Sequence, residues 1–335
     1  MKKMLAMLLA LVMILGLAAC ASTKPAADAT ATSEPSNTGD SASAETSAEA
    51  SDAAPAESGK TYTVGVCQLV QHEALDAATQ GFVDALKEAL GDAVTIDVQN
   101  ASGDSVNCGT IVNGFVAKGV DLIMANATPA LTAAVSATAD IPILGTSITA
   151  YGVALDIDDF NGTVGGNVSG TSDLADLQKQ AQMILDWFPE TKTVGLLFCS
   201  AEPNSRYQID EVRKALEAQG VTCEEFAFTD SNDVSSVTQK AADFSDVVYI
   251  PTDNTAASNT EAIANVLIPA GVPAICGEEG LCRGCGVATL SISYYDLGVT
   301  TGKMAAKILK GEANISEMPV EYTDATPKYN ASICD

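Results

Sequence analysis

Cys282 and Cys285 stand two residues apart in the stretch GEEGLCRGCG (277–286). That spacing suits a dithiol redox centre or half of a thiolate metal site, and Cys276 is near enough in sequence to add a third sulfur. A thioredoxin-like dithiol opens a helix after a strand, whereas the glycines here read as a loop. No second CxxC occurs, and His72, the one histidine of the chain, is remote in sequence. Structural thiols or a local disulfide are the alternative. Hydrolysis has less to work with, because a triad needs a histidine oriented by a carboxylate beside a nucleophile, and no G-x-S-x-G stretch is present. The glycines of GTVGGNVSG (162–170) lack the spacing and place of a nucleotide-binding loop. The chain therefore reads as a binder, not an enzyme, with no cofactor.

The other chemistry-bearing residues gather where apolar runs end. Gln68 closes one such run, residues 126–129 (NATP) another, and residues 145–147 (GTS) a third. Further along come residues 200–205, 251–254 (PTDN) and 277–280 (GEEG). Asp253, Glu278 or Glu279 could balance an ammonium, and free N–H groups at helix starts suit a carboxylate. Together they would suit a zwitterion such as an amino acid. Each residue alone also fits a helix N-cap, the usual place for Asp, Ser, Thr and Asn at such junctions.

The elements that must position these residues alternate. Apolar runs at 63–69, 94–100, 120–126 and 141–147 read as strands, the first compact enough for a buried parallel strand. Between the first two runs lies a helical stripe of Leu75, Ala78, Phe82, Ala85, Leu86 and Ala89. The alternation restarts with a helix through Leu177 and Ile184, then strands at 193–199, 221–228, 247–251 and 273–277. Helices between them centre near Val212, Val237 and Ile263. Repeated strand–helix units mean parallel sheets, and two successive sets mean two α/β lobes. Ligands of open parallel sheets bind beyond the carboxyl ends of the strands. Facing rims of two lobes would enclose a cleft.

The ends and the charge say where such a cleft works. Lys2 and Lys3 precede an apolar run, and Leu17-Ala18-Ala19-Cys20 resembles a bacterial lipobox. Residues 1–19 are expected to be a signal peptide, with Cys20 lipidated as an anchor. Residues 20–60 hold no aromatic or large aliphatic side chain and read as a linker spanning roughly 35 Å. The formal net charge is −26, or −28 once Lys2 and Lys3 leave with the signal peptide. That excludes nucleic acid as a partner and disfavours electrostatic binding to anionic lipid. Eight cysteines besides Cys20 sit mostly in apolar runs and behave as small hydrophobes.

Several stretches together resemble one family of ABC-transporter substrate-binding proteins. They are QLVQHEALDAATQGFVDAL (68–86), NATPA (126–130), GGNVSGTSD (165–173), PNSRYQ (203–208), PTDNT (251–255) and YYDLGVTTGKMAAKILKGE (294–312). The resemblance implies a type I periplasmic-binding fold: two Rossmann-like α/β lobes with parallel sheets, joined by three crossing segments. It puts lobe 1 at 61–169 plus 290–318 and lobe 2 at 170–289 plus 319–335. It implies a small-molecule ligand, an amino acid and in some members an aromatic one. The partners would be an ABC permease and its ATPase, and the protein a monomer. Carried over residue by residue, the ligand contacts expected are Gln68, His72, Thr128, Thr146, Ser147, Thr171, Asp173, Asn204, Ser205, Thr252, Asp253, Asn254 and Glu278. Tyr151 and Tyr207 are candidates for stacking an aromatic ligand. The alternative function is an anchored thiol-redox or metal-binding lipoprotein using Cys282 and Cys285.

Overall fold

The computed structural model describes residues 59–334. The expected signal peptide, Cys20 and nearly all of the linker lie outside the described residues. The first lobe runs through β1 (Tyr62–Gln68), α1 (Glu73–Leu90), β2 (Val94–Asn100), α2 (Ser105–Lys118), β3 (Leu122–Asn126), α3 (Thr128–Ala137), β4 (Ile143–Ile148), α4 (Tyr151–Ala154) and β5 (Val168–Ser172). The second contains α5 (Leu177–Trp187), β6 (Thr193–Cys199), α6 (Pro203–Glu217), β7 (Thr222–Phe228), α7 (Val234–Phe244), β8 (Val247–Ile250), α8 (Asn254–Ala257), α9 (Thr260–Ala270), β9 (Ala274–Cys276), α10 (Glu279–Cys285) and β10 (Ala288–Ser291). The chain then forms α11 (Tyr294–Leu309), β11 (Glu321–Tyr322), β12 (Thr326–Tyr329) and α12 (Ala331–Cys334).

The two sheets have equivalent topology. One runs β2-β1-β3-β4-β5-β11, the other β7-β6-β8-β9-β10-β12. Every pairing is parallel except that of β10 with β12. The central strands β3, β4 and β8 are buried throughout, as expected of strands covered by helices on both faces. In the first lobe one core layer centres on Phe115, Leu131 and Ile143, and the other on Phe82, Leu122 and Met304. The second lobe repeats this with layers around Phe228 and Leu267 and around Phe198 and Val212.

The chain changes lobe after β5, after β10 and between β11 and β12. Each passage falls a few residues beyond the boundaries expected at 169, 289 and 318, because the last strand residues stay hydrogen-bonded in their own sheets. Residues 168–172, which lie outside the apolar runs read as strands, form β5. The GEEGLCRGCG stretch, expected as a loop, contains α10, whose first turn is capped by the Glu278 carboxylate.

Helix α11 returns to the first lobe and packs on α1, which carries His72 at its start. Gly81, Gly298 and Gly302 let the two backbones approach. A Cβ on Gly298 would overlap the Ala78 carbonyl, and one on Gly81 the Tyr295 carbonyl. In a helix interior Gly→Ala by itself gains about 1 kcal/mol. Gly298→Ala is nonetheless expected to destabilise by about 1–3 kcal/mol, the cost of overpacking. Denaturant unfolding with an unchanged m-value checks this, and a stabilised variant would show that the helices are free to part.

Candidate functional site

The carboxyl ends of the two sheets face each other across a cavity. The first lobe contributes His72, Leu75, Ser147 and Thr149. The crossings contribute Asp173 and Tyr294, and the second lobe Asn204, Thr252, Asp253, Asn254, Ala257 and Glu278. The free volume is about 10 Å³, room for roughly one water. Two polar contacts cross between the lobes beside it. His72 Nε2 meets Asn254 Oδ1 at 3.2 Å, and Arg283 Nη1 pairs with Glu73 Oε1 at 2.5 Å.

Four side chains present unpaired polar atoms here. Among the described residues nine buried side-chain nitrogen or oxygen atoms lack a partner, and four of them belong to this cavity: His72 Nδ1, Ser147 Oγ, Asp173 Oδ1 and Asn204 Oδ1. Ser147 reaches it through a backbone irregularity. Its φ is +55°, and the β4–β5 register shifts between Gly145 and Ile148. Such a bulge re-aims a side chain. Asp173 follows β5 and accepts 2.9 Å from the Tyr294 hydroxyl through Oδ2, leaving Oδ1 bare. Burial pushes its carboxyl above the ordinary range, against the opposing pull of the Tyr294 bond. Asn204 sits in the first turn of α6 and donates Nδ2 to Glu202 Oε2 (3.2 Å) and Thr252 O (3.1 Å). His72 occupies the N-cap position of α1 without capping it, and burial lowers its pKa, which favours the neutral ring.

Asp253 and Glu278, the expected ammonium partners, are each bonded at both carboxylate oxygens by backbone N–H groups. Asp253 accepts from Cys199 N (2.6 Å) and Ala256 N (2.8 Å). Glu278 accepts from Gly280 N (2.6 Å) and Leu281 N (2.5 Å). Both are N-caps at the cavity wall. Burial, with Glu202 nearby, raises Asp253 to about 8, and burial raises Glu278 to about 7. Glu279 turns away and pairs with Arg283 (2.9 Å) and Lys328.

Five expected contacts do not line the cavity. Gln68 is held inside its lobe, donating to Asp76 Oδ1 (2.6 Å) and accepting from Thr79 (2.6 Å). Thr146 and Thr171 face α11, where their hydroxyls form a buried cluster with Thr301 at 2.8–3.2 Å. Thr128 is buried at the start of α3, and Ser205 is fully buried behind Asn204. For the three strand residues the reason is that alternate residues at a strand end point to opposite faces, and only one face meets the cleft. Thr128 and Ser205 lie in the first turns of helices and turn into their own lobe. Neither tyrosine proposed for stacking reaches it. Tyr151 is buried, donates to Thr171 O and stacks on Phe160 at 6.4 Å, while Tyr207 packs in its own lobe's core. Leu75, Thr149, Ala257 and Tyr294 escaped the sequence reading, as did Glu202 behind Asn204. A glutamate two residues before a rim asparagine was the one available signal.

Cys276, Cys282 and Cys285 are free and buried in the second-lobe core. Burial pushes Cys282 up to about 12. Cys276 also lies well above its ordinary value, chiefly through its contact with Cys285. Reactive thiols need the opposite environment. No three His, Cys, Asp or Glu side chains among the described residues converge on a metal-sized site.

Comparison with known proteins agrees with this architecture. Residues 63–328 match the family model described as ABC transporter substrate binding protein, and the chain belongs to that family. Its members are solute-binding proteins of the extracytoplasmic face, not enzymes. A tyrosine-binding protein of Clostridioides difficile is 33% identical over 276 residues, covering 81% of this chain and 79% of that one. A Streptococcus pneumonia ABC domain in complex with L-Trp is 33% identical and superposes with a TM-score of 0.78, covering 82% of this chain and 94% of that one. The ligand-free, open structure of an adhesive substrate binding protein from Clostridium difficile is 35% identical, yet its TM-score is 0.62 over 82% and 93% of the two chains. A Bacillus halodurans solute-binding protein at 14% identity and TM-score 0.61 shares the fold, that of type I periplasmic-binding proteins.

Proposed function

We propose that this protein captures an aromatic amino acid between its lobes and delivers it to a membrane permease for import, with ATP consumed by a separate subunit. Lipidated Cys20 and the 20–60 linker tether it outside the membrane. One observation carries the reading: four buried, unpaired polar atoms line one interlobe cavity. Asp173 Oδ1 and Asn204 Oδ1 suit an ammonium. Ser147 Oγ and the amino end of α1, which has no side-chain cap, suit a carboxylate. The tyrosine and L-Trp of the two relatives supply the aromatic side chain.

The same atoms explain how ligand drives closure. Closing empty strands four polar groups, each at about 1–3 kcal/mol. A ligand that pairs them removes this cost and so favours the closed state by its differential affinity. The cavity is too small for an amino acid as it stands, so ligand enters open lobes. The higher TM-score with the L-Trp complex than with the ligand-free open relative fits a nearly closed arrangement.

A thermal-shift screen of the mature protein against the twenty amino acids tests the reading. Tyrosine or tryptophan at a hundredfold excess over its dissociation constant is expected to stabilise by about 2.7 kcal/mol. A shift with sugars or polyols and none with amino acids would refute it.

A further inference from the structure

Glu202 lies behind the cavity and is 5% exposed. Every contact recorded for its carboxylate is a donor. Oε1 accepts from Thr255 N (2.9 Å) and Thr255 Oγ1 (2.8 Å). Oε2 accepts from Asn254 N (3.0 Å), Asn254 Nδ2 (2.7 Å) and Asn204 Nδ2 (3.2 Å). A carboxylate accepts only, so both asparagines must turn their NH₂ groups toward it and their carbonyl oxygens away. Asn204 Oδ1 thereby stands unpaired at the cavity. Asn254 Oδ1 faces His72 across the cleft, so His72 Nε2 must carry the proton. The neutral ring then leaves Nδ1 as a bare lone pair, also without a partner.

We infer that Glu202 is the specificity-determining positioning residue of this site: it sets two asparagines, and through one of them the histidine tautomer, so that the cavity demands a primary ammonium. The inference rests on the amino-acid reading above and adds which end of the ligand is selected. Three acceptors line one small cavity, His72 Nδ1, Asp173 Oδ1 and Asn204 Oδ1, matching the three donors of an –NH₃⁺ group. No arginine or lysine lines that cavity. The carboxylate end is served by one hydroxyl and a helix start, so its loss should matter less. A ligand without the ammonium leaves buried acceptors unpaired, the situation in which polar sites discriminate most strongly.

Isothermal titration of the mature protein with two ligand series tests this. One is L-tyrosine, tyramine and 3-(4-hydroxyphenyl)propionate; the other is L-tryptophan, tryptamine and indole-3-propionate. For the series that binds, the amine is expected within about tenfold of the amino acid and the des-amino acid at least about 100-fold weaker. In Glu202→Gln one amide can reverse, and the gap between amine and des-amino acid is expected to shrink below about tenfold. Unfolding of the variant is followed in parallel, because a merely structural role would weaken all ligands in proportion. Proportional weakening, or a wild-type protein that binds the des-amino acid as well as the amino acid, overturns the inference and leaves the parent reading standing. A wild-type protein that binds neither amino acid overturns both.

Discussion

Asp173→Asn is expected to weaken amino-acid binding on the order of 100-fold while leaving the ligand-free protein as stable as before, or more so. Truncating one partner of a buried, hydrogen-bonded charge pair costs about 2–5 kcal/mol, and each 1.4 kcal/mol is about tenfold. The variant keeps the side chain's shape and its acceptor toward the Tyr294 hydroxyl, but it removes the charge that faces the ammonium. Stability should move the other way. Burial already holds the Asp173 carboxyl above its ordinary range, so its ionised form is a liability in the empty protein. That cost is the kind stored at functional sites. Calorimetric titration and denaturant unfolding of one preparation check both halves. Unchanged affinity would remove Asp173 from the site, and a large loss of stability would make it a structural residue.

Glu278→Gln is expected to reveal a pH-dependent strain at the cleft wall. The folded pKa is raised from 4.5 to about 7 by burial, with Glu73 and Asp173 adding repulsion against the two backbone N–H bonds. The folded state therefore holds a proton that the unfolded state has released between these values. For this group stability falls as pH rises through that window, and the full penalty is present above about pH 7. A rise from 4.5 to about 7 corresponds to about 3 kcal/mol. At about pH 4 the variant should match the wild type or fall slightly below it, since glutamine keeps one acceptor for the helix start. By about pH 8 their difference should have moved about 3 kcal/mol in the variant's favour. An identical difference at both pH values would show that the capping bonds outweigh burial.

The lobes were legible because their central strands are buried on both faces. VGVCQ and LIMAN are unbroken apolar runs ending in one polar residue, and the α1 stripe recurs at helical spacing. Residues 168–172 do not stand out as a strand because VSGTS has little apolar character. It is a strand through its place beside β4, where a Cβ on Gly170 would overlap the Gly145 carbonyl. The α10 helix hid behind its glycines, and Glu278 capping its first turn is what lets it form. At the site, strand-end position placed His72, Ser147, Asp173, Asn204, Thr252, Asp253, Asn254 and Glu278 around one cavity. It could not separate residues with free atoms from those spent on caps. Asp173 and Asp253 look alike in sequence; one has a bare oxygen and the other has two backbone donors. That difference depends on which loop meets which helix start, which is long-range information. Glu202 is the extreme case, since its role exists only once α6 and α8 are side by side.

The most direct measurement is a crystal structure of the protein saturated with the amino acid that binds it best. The expected result is a ligand between the lobes with its ammonium within about 3.2 Å of Asp173 Oδ1, Asn204 Oδ1 and His72 Nδ1, and its carboxylate at Ser147 Oγ. Ligand density elsewhere, or a ligand in the cleft that leaves Asp173 Oδ1 and Asn204 Oδ1 unpaired, would contradict it.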